Sequence, residues 1–167
     1  LRFLLEENRM PEDGLLLSPE RVTTIKHRII SGSQHMLRVD SEMTDPLSPT
    51  EENQLAERIQ RLLPTMDVVI FEDYDKGTIT PGLIKKTVAA CRAAGVPTAV
   101  DPKKRNFLAY KGVTLFKPNL KELREGLKID LNPEDPAQLS RAVDTLKQQL
   151  TAENALVTLS ELGMFLS

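Results

Sequence analysis

Two hydrophobic rhythms divide the chain. Between Val22 and Ile30, and again from His35 to Asp40, side-chain character alternates residue by residue. That period of two predicts strands. Thr24, Lys26 and Arg28 fall on one face of the first, with Ile25, His27 and Ile29 on the other; Met36, Arg38 and Asp40 share a face of the second. Ser31-Gly32-Ser33 between them is a turn signal, so the pair is expected to form an antiparallel hairpin with basic side chains on both strands. Ahead of it, Leu1 to Asn8 reads as the end of a helix. Pro11-Glu12-Asp13-Gly14 reads as a turn, and Leu15 to Leu17 as a short extended apolar run.

Past Asp45-Pro46 the rhythm changes to helical spacing broken by short apolar runs. Ser48-Pro49-Thr50-Glu51 is a capping box with proline at the first helical position, and the helix it opens lines up Leu55, Ile59, Leu62 and Leu63. Asp67 to Phe71 is a continuous apolar strand, as expected when both faces of a sheet are covered. Thr80-Pro81 starts a helix that Gly95 should end. Thr98 to Asp101 and Val113 to Phe116 are expected strands. Asn119 opens a short helix and Asn132-Pro133 a longer one carrying Leu139, Ala142, Val143, Leu146 and Leu150. Ala155 to Leu159 is a further strand, and Gly163 to Leu166 reads as one more with nothing after it to pair with.

Strands joined by short capped helices pair in parallel. The expected fold is therefore α/β, a mostly parallel sheet flanked by helices, with a small antiparallel β unit on its N-terminal side. The division falls into residues 1–45 and 46–167. Composition agrees: 167 residues, 40% apolar, 28% charged, formal net charge −2. That balance offers no electrostatic case for nucleic acid or an anionic membrane as partner. A single cysteine, Cys91, excludes an internal disulfide, and no apolar run is long enough for a membrane span, so the expected setting is cytoplasmic. Both ends read as cut, and the chain is expected to be an internal fragment.

In open parallel sheets ligands sit beyond the carboxyl ends of the strands. Here those ends run into Glu72-Asp73-Tyr74-Asp75-Lys76-Gly77, Asp101-Pro102-Lys103-Lys104-Arg105, Lys117-Pro118-Asn119 and Thr158 to Ser160. The opposite connections, such as Gly95-Val96-Pro97, are plainer. Lys76, Lys103, Lys104, Arg105 and Lys117, with helix N-termini nearby, favour an anionic ligand. Each motif also has a plainer explanation. Asn119-Leu120-Lys121-Glu122 fits a capping box, Asp73 to Gly77 an ordinary turn, and Lys103 to Arg105 a solvated charge run. Lys26, Arg28 and Arg38 could be ordinary exposed strand residues. His27 and His35 make no metal set, and neither a G-x-G-x-x-G nor a G-x-x-x-x-G-K-[ST] sequence is present.

Four of these segments, in order, resemble the bacterial heptose 7-phosphate kinases of the ribokinase-like (PfkB) carbohydrate kinase family. VIFEDYDKG, Val69 to Gly77, is similar to a strand ending in Ser/Glu-Asp-Tyr-x-Lys-Gly. TIKHRIISGSQHMLRVD, Thr24 to Asp40, resembles the β lid of that family. Asp101-Pro102-Lys103 and Pro118-Asn119-Leu120-Lys121-Glu122 resemble its Asp-Pro-Lys and Pro-Asn-Leu-x-Glu pair.

The resemblance implies part of a ribokinase-like three-layer sandwich and a lid that often dimerises. It implies transfer of the ATP γ-phosphate to heptose 7-phosphate, giving the 1,7-bisphosphate used in ADP-heptose and lipopolysaccharide precursor synthesis. The partners would be ATP, magnesium, the phosphorylated sugar and a second copy through the lid. Asn119, Leu120, Lys121, Glu122, Lys103, Thr158, Ser160 and Gly163 would lie at the nucleotide phosphates, with Glu122 holding Mg²⁺ through water. Arg28, Gln34, Arg38, Asp73 and Lys76 would hold the sugar phosphate. The family's catalytic aspartate, in a Gly-Ala-Gly-Asp motif, has no counterpart here, so the chain alone is expected to be inactive. A related sugar or nucleoside kinase, or a non-catalytic module that binds a phosphorylated metabolite, fits the same residues.

Overall fold

The computed structural model describes residues 2–167, so the start of the first helix expected at Leu1 lies outside the described residues. Arg2–Glu7 form a short helix, α1. The chain then runs without regular structure to residue 24, so the extended run expected at Leu15 to Leu17 is a loop. β1 (Ile25–Ser31) and β2 (Gln34–Ser41) form an isolated antiparallel hairpin. Its register pairs Lys26 with Asp40, Arg28 with Arg38, His27 with Val39 and Ile29 with Leu37. Cross-strand partners share a face, which gives the hairpin one charged and one apolar side, with a bulge between Ile29 and Ile30.

The larger unit is a five-stranded sheet in sequential order: β3 (Val69–Glu72), β4 (Thr98–Asp101), β5 (Leu115–Phe116), β6 (Asn154–Thr158) and β7 (Met164–Leu166). The pairs from β3 to β6 are parallel. β7, the expected last strand, folds back antiparallel on β6. The helices between are α2 (Pro49–Leu62), α3 (Pro81–Ala94), α4 (Leu120–Leu127) and α5 (Pro136–Leu150).

Local chemistry accounts for these boundaries. The Ser48–Glu51 box is complete, and Gly95 ends α3 in the left-handed region at φ 69°. The longer helix opens at Asp135-Pro136 rather than Asn132-Pro133. Asp135 accepts from the amides of Ala137 and Gln138, while Asn132 spends its side chain on a separate turn at Glu134.

Packing follows the alternation of the strands. Phe71, Val100, Phe116 and Ala155 are register neighbours, and with Val157 they form the buried face. α3 lays Ile84 and Val88 on it, α4 adds Leu123, and α5 adds Val143 and Leu146. Full burial of each large side chain contributes about 1.5–3 kcal/mol. On the other face Ala99, Leu115 and Leu156 are partly exposed, while Ile70 on the edge strand is 61% exposed. The expectation that β3 is covered on both faces is therefore corrected: β3 is the sheet edge, and only the face bearing Phe71 is packed. No helix among the described residues is long and apolar enough to cross a membrane.

Candidate functional site: the carboxyl edge of the parallel strands

The strand ends converge. Lys103, just past β4, places its Nζ 2.6 Å from Glu122 Oε1 in the first turn of α4. Lys117, just past β5, lies 3.1 Å from Asp101 Oδ2 at the end of β4. Asn119 caps α4 by accepting the Glu122 amide at 2.9 Å, and Glu122 Oε2 accepts the Asn119 amide at 2.9 Å. Glu122 therefore closes the cap with one oxygen and turns the other to the β4 loop, where Lys103 meets it. The backbone bridges Asn119 to Thr158, with the Thr158 amide donating to the Pro118 carbonyl at 3.1 Å. Two ammonium groups and two carboxylates thus sit together at the head of α4. Burial lowers the basicity of Lys103, but its bonded Glu122 partner, helped by Asp101 and Asp73, outweighs that and holds the ammonium above the usual lysine range.

The loop after β3 forms the second half of the site. Asp73 is 4% exposed and turned inward. Its Oδ2 accepts from the Tyr110 hydroxyl at 2.8 Å and Asn106 Nδ2 at 3.1 Å, and its Oδ1 from the Asp75 amide at 2.8 Å. A carboxylate buried among Phe71 and Tyr110, whose rings meet edge to face at 5.5 Å, needs these donors. Burial, reinforced by the Asp73 bond, pushes the Tyr110 hydroxyl far above the usual tyrosine range, so it stays a donor. Asn106 also donates to the Ile79 carbonyl at 2.8 Å. Asp73 therefore ties the turn after β3 to the loop after β4.

Between this turn and the hairpin lies a cleft of about 700 Å³, lined by Thr24, Lys26, Glu72, Asp73, Tyr74, Lys76, Thr78 and Ile79. Lys26 Nζ stands 5.9 Å from the centre of the Tyr74 ring, and Lys76 Nζ bonds Glu42 at 2.5 Å. Lys26 shares the charged side of the hairpin with Arg28 and Arg38, one register step further from the cleft, where Arg38 Nε lies 3.0 Å from Asp40. Gln34 stands at the hairpin tip, paired with Ser31.

The structure thus brings Lys103, Asn119, Glu122 and Thr158 into one cluster and Asp73 and Lys76 into the neighbouring cleft. It sets Lys121 apart, on the exposed side of α4 beside Glu125, and turns Leu120 against the core. Ser160 and Gly163 lie on the exposed turn before β7, both at positive φ, and make no bond to the cluster. Arg28, Gln34 and Arg38 do not line the cleft. Strand-end position marked Lys117 and Asp101 from sequence, though not as a pair. Asn106 and Tyr110 were missed, and nothing local marks Tyr110 as the partner of a residue 37 positions away.

This architecture defines a class. Phosphofructokinase-2 of Escherichia coli, in its tetrameric inhibited form, superimposes on the whole chain with a TM-score of 0.72 at 16% identity, over 54% of its own length. Ribokinase of Giardia lamblia superimposes on 99% of the chain with a TM-score of 0.70 at 16% identity, over 50% of its length. The fold is ribokinase-like. No family model matches the chain. Within that class the chain is related to the bifunctional HldE proteins. It is 35% identical to HldE of Syntrophotalea carbinolica over 98% of its residues, and 38% identical to HldE of Caulobacter vibrioides over 100% of them. The match takes in 33% and 34% of those relatives, so the chain spans about a third of their length.

Proposed function

We propose that the chain forms the phosphate- and sugar-holding part of an ATP-dependent carbohydrate kinase, with heptose 7-phosphate as acceptor. The γ-phosphoryl group would pass to the sugar's anomeric hydroxyl, giving the 1,7-bisphosphate and ADP on the way to ADP-heptose and lipopolysaccharide core. Dependence on ATP sets this in the cytoplasm. The observation that carries the reading is the adjacency of two anion-ready sites. The Lys26–Lys76 cleft and the Lys103–Glu122 cluster share the Asp73–Asn106 link. An acceptor that already carries phosphate suits the first, and nucleotide phosphates suit the second.

Among the described residues no three acids, histidines or cysteines converge to hold a metal unaided. Mg²⁺ does not need them, because it keeps several waters and takes one or two carboxylates plus substrate phosphates. Glu122 and Asp101 are the carboxylates placed for that role, and bound Mg²⁺ would neutralise charge on the transferring phosphoryl group. Lys103 and Lys117 would exchange their carboxylate partners for phosphate oxygens. No Gly-Ala-Gly-Asp sequence supplies a base for the hydroxyl proton, so turnover by these residues alone should be negligible. A related sugar or nucleoside kinase would keep the cluster and differ in the cleft.

The substrate reading is tested at Lys26 by calorimetry. Lys26→Ala should weaken binding of heptose 7-phosphate about tenfold, the worth of one charge-assisted contact, and leave unphosphorylated heptose within about twofold. Equal losses for both sugars would remove the case for a phosphorylated acceptor.

The hairpin is also proposed to dimerise through its apolar side. Ile25, Ile29, Leu37 and Val39 line that side at 48–52% exposure. An isolated two-stranded sheet is marginal in water until such a face is covered. Sedimentation should show a dimer that Leu37→Glu converts to monomer; a wild-type monomer at tens of micromolar would refute it.

A further inference from the structure

We propose that Arg105 is a positioning residue that latches the stem of the hairpin to the phosphate-side loop, so that an anion held at Lys103 and closure of the hairpin over the cleft support each other. The functional half of this statement rests on the kinase reading above; the latch itself does not.

The stem is residues 42–47, which leave β2 and lead to α2. Most of its ties run to the turn after β3. Leu47 donates its amide to the Gly77 carbonyl at 3.0 Å, and Lys76 pairs with Glu42 at 2.5 Å. Arg21 reaches from the preceding loop to the carbonyls of Asp45 at 2.7 Å and Lys76 at 2.5 Å. Arg105 differs. It sits in the single helical turn Lys104–Asn106 just past β4, two residues beyond Lys103. Its Nη1 donates to the Thr44 carbonyl at 2.9 Å, and its Nε lies 2.9 Å from Asp75 Oδ1. Among the hydrogen bonds and ion pairs of the described residues, this is the one that joins the stem to the loop carrying Lys103.

The chemistry suits a latch better than a brace. A guanidinium offers donors in a rigid fork, so one side chain can hold a carbonyl and a carboxylate from separate segments. The Arg105 side chain is 47% exposed, and an ion pair that open contributes little to global stability. Asp75 Oδ1 nevertheless has no hydrogen-bond partner, the Arg105 contact being one of charge rather than of hydrogen-bond angle. The next residue, Asn106, is buried and fixed by Asp73 and Ile79, which gives Arg105 a rigid base. A shift of the loop as Lys103 leaves Glu122 for an anion is therefore transmitted to Thr44 and to the turn bearing Lys76.

Amide hydrogen exchange of the wild type, Arg105→Ala and Arg105→Lys decides the point. Without ligand, Arg105→Ala should speed exchange at Leu47 and along β1 and β2 by about fivefold, on the scale of one lost hydrogen bond, and leave β3 to β6 unchanged. Arg105→Lys, lacking the fork, should behave like the alanine variant. A non-hydrolysable ATP analogue with Mg²⁺ should slow hairpin exchange in the wild type and not in either variant. Ligand-free exchange within twofold of wild type would overturn the latch, as would a uniform rise across the large sheet, which marks a merely structural role. If the analogue left the wild-type hairpin unchanged while the ligand-free difference held, the nucleotide reading would fall and the latch would stand.

Discussion

Gly77→Ala should destabilise the protein by at least about 3 kcal/mol, seen as a lower urea midpoint with an unchanged slope. Two costs add. Gly77 sits at φ 78°, where an L side chain is strained by about 1 kcal/mol or more. A Cβ built there would also lie 1.9 Å from the Asp45 carbonyl oxygen and 2.9 Å from that of Thr44. These obstacles are backbone, so no side-chain rotation relieves them. The stem must back away, giving up the Leu47–Gly77 bond and the pairing of Lys76 with Glu42. Gly95 is the control. Its φ is 69°, but nothing lies within 4 Å of a Cβ there. Gly95→Ala should cost about 1 kcal/mol. Equal losses at the two sites would show that the close approach of stem and turn is not part of the folded protein.

Glu122→Gln should weaken binding of an ATP analogue in Mg²⁺ about thirtyfold, or about 2 kcal/mol, with little change in melting temperature. The substitution separates the two jobs of the residue. Glutamine still closes a capping box with Asn119, so α4 keeps its start. The negative charge is what goes, and with it the partner of Lys103 and a carboxylate for the metal's water shell. Calorimetry with and without Mg²⁺ is the measurement. The loss should shrink severalfold when Mg²⁺ is withheld. Unchanged affinity in Mg²⁺ would leave Glu122 as a cap alone and withdraw the metal assignment.

Much of this could be read in the residues because the relevant physics is local. The capping boxes at Ser48 and Asn119, the left-handed stop at Gly95 and the period-two hairpin are all built from contacts within a few positions. The same holds for the rule that polar strand ends gather on one edge, which placed Lys103 and Glu122 in one cluster. The errors lie where two local signals compete. Asn132-Pro133 and Asp135-Pro136 are equivalent as text, and what separates them is that Asp135 accepts the amides of Ala137 and Gln138 while Asn132 closes a separate turn at Glu134. In the hairpin, register sets Lys26 at the cleft and Arg28 beside Arg38 a step along the same face.

The sequence alone determined the α/β class, the order of its elements and the set of charged groups at the strand ends, since each follows from hydrophobic period and from caps a few residues long. Tertiary structure decided which face of the sheet is packed, and that Asp73, at the wall of the cleft, bonds inward to Tyr110 and Asn106. It also decided that Arg105 reaches Thr44. Those outcomes depend on groups 33 to 61 residues apart being brought within hydrogen-bonding distance. Only the closed packing of the sheet and its connections sets such distances, and no window of sequence contains them.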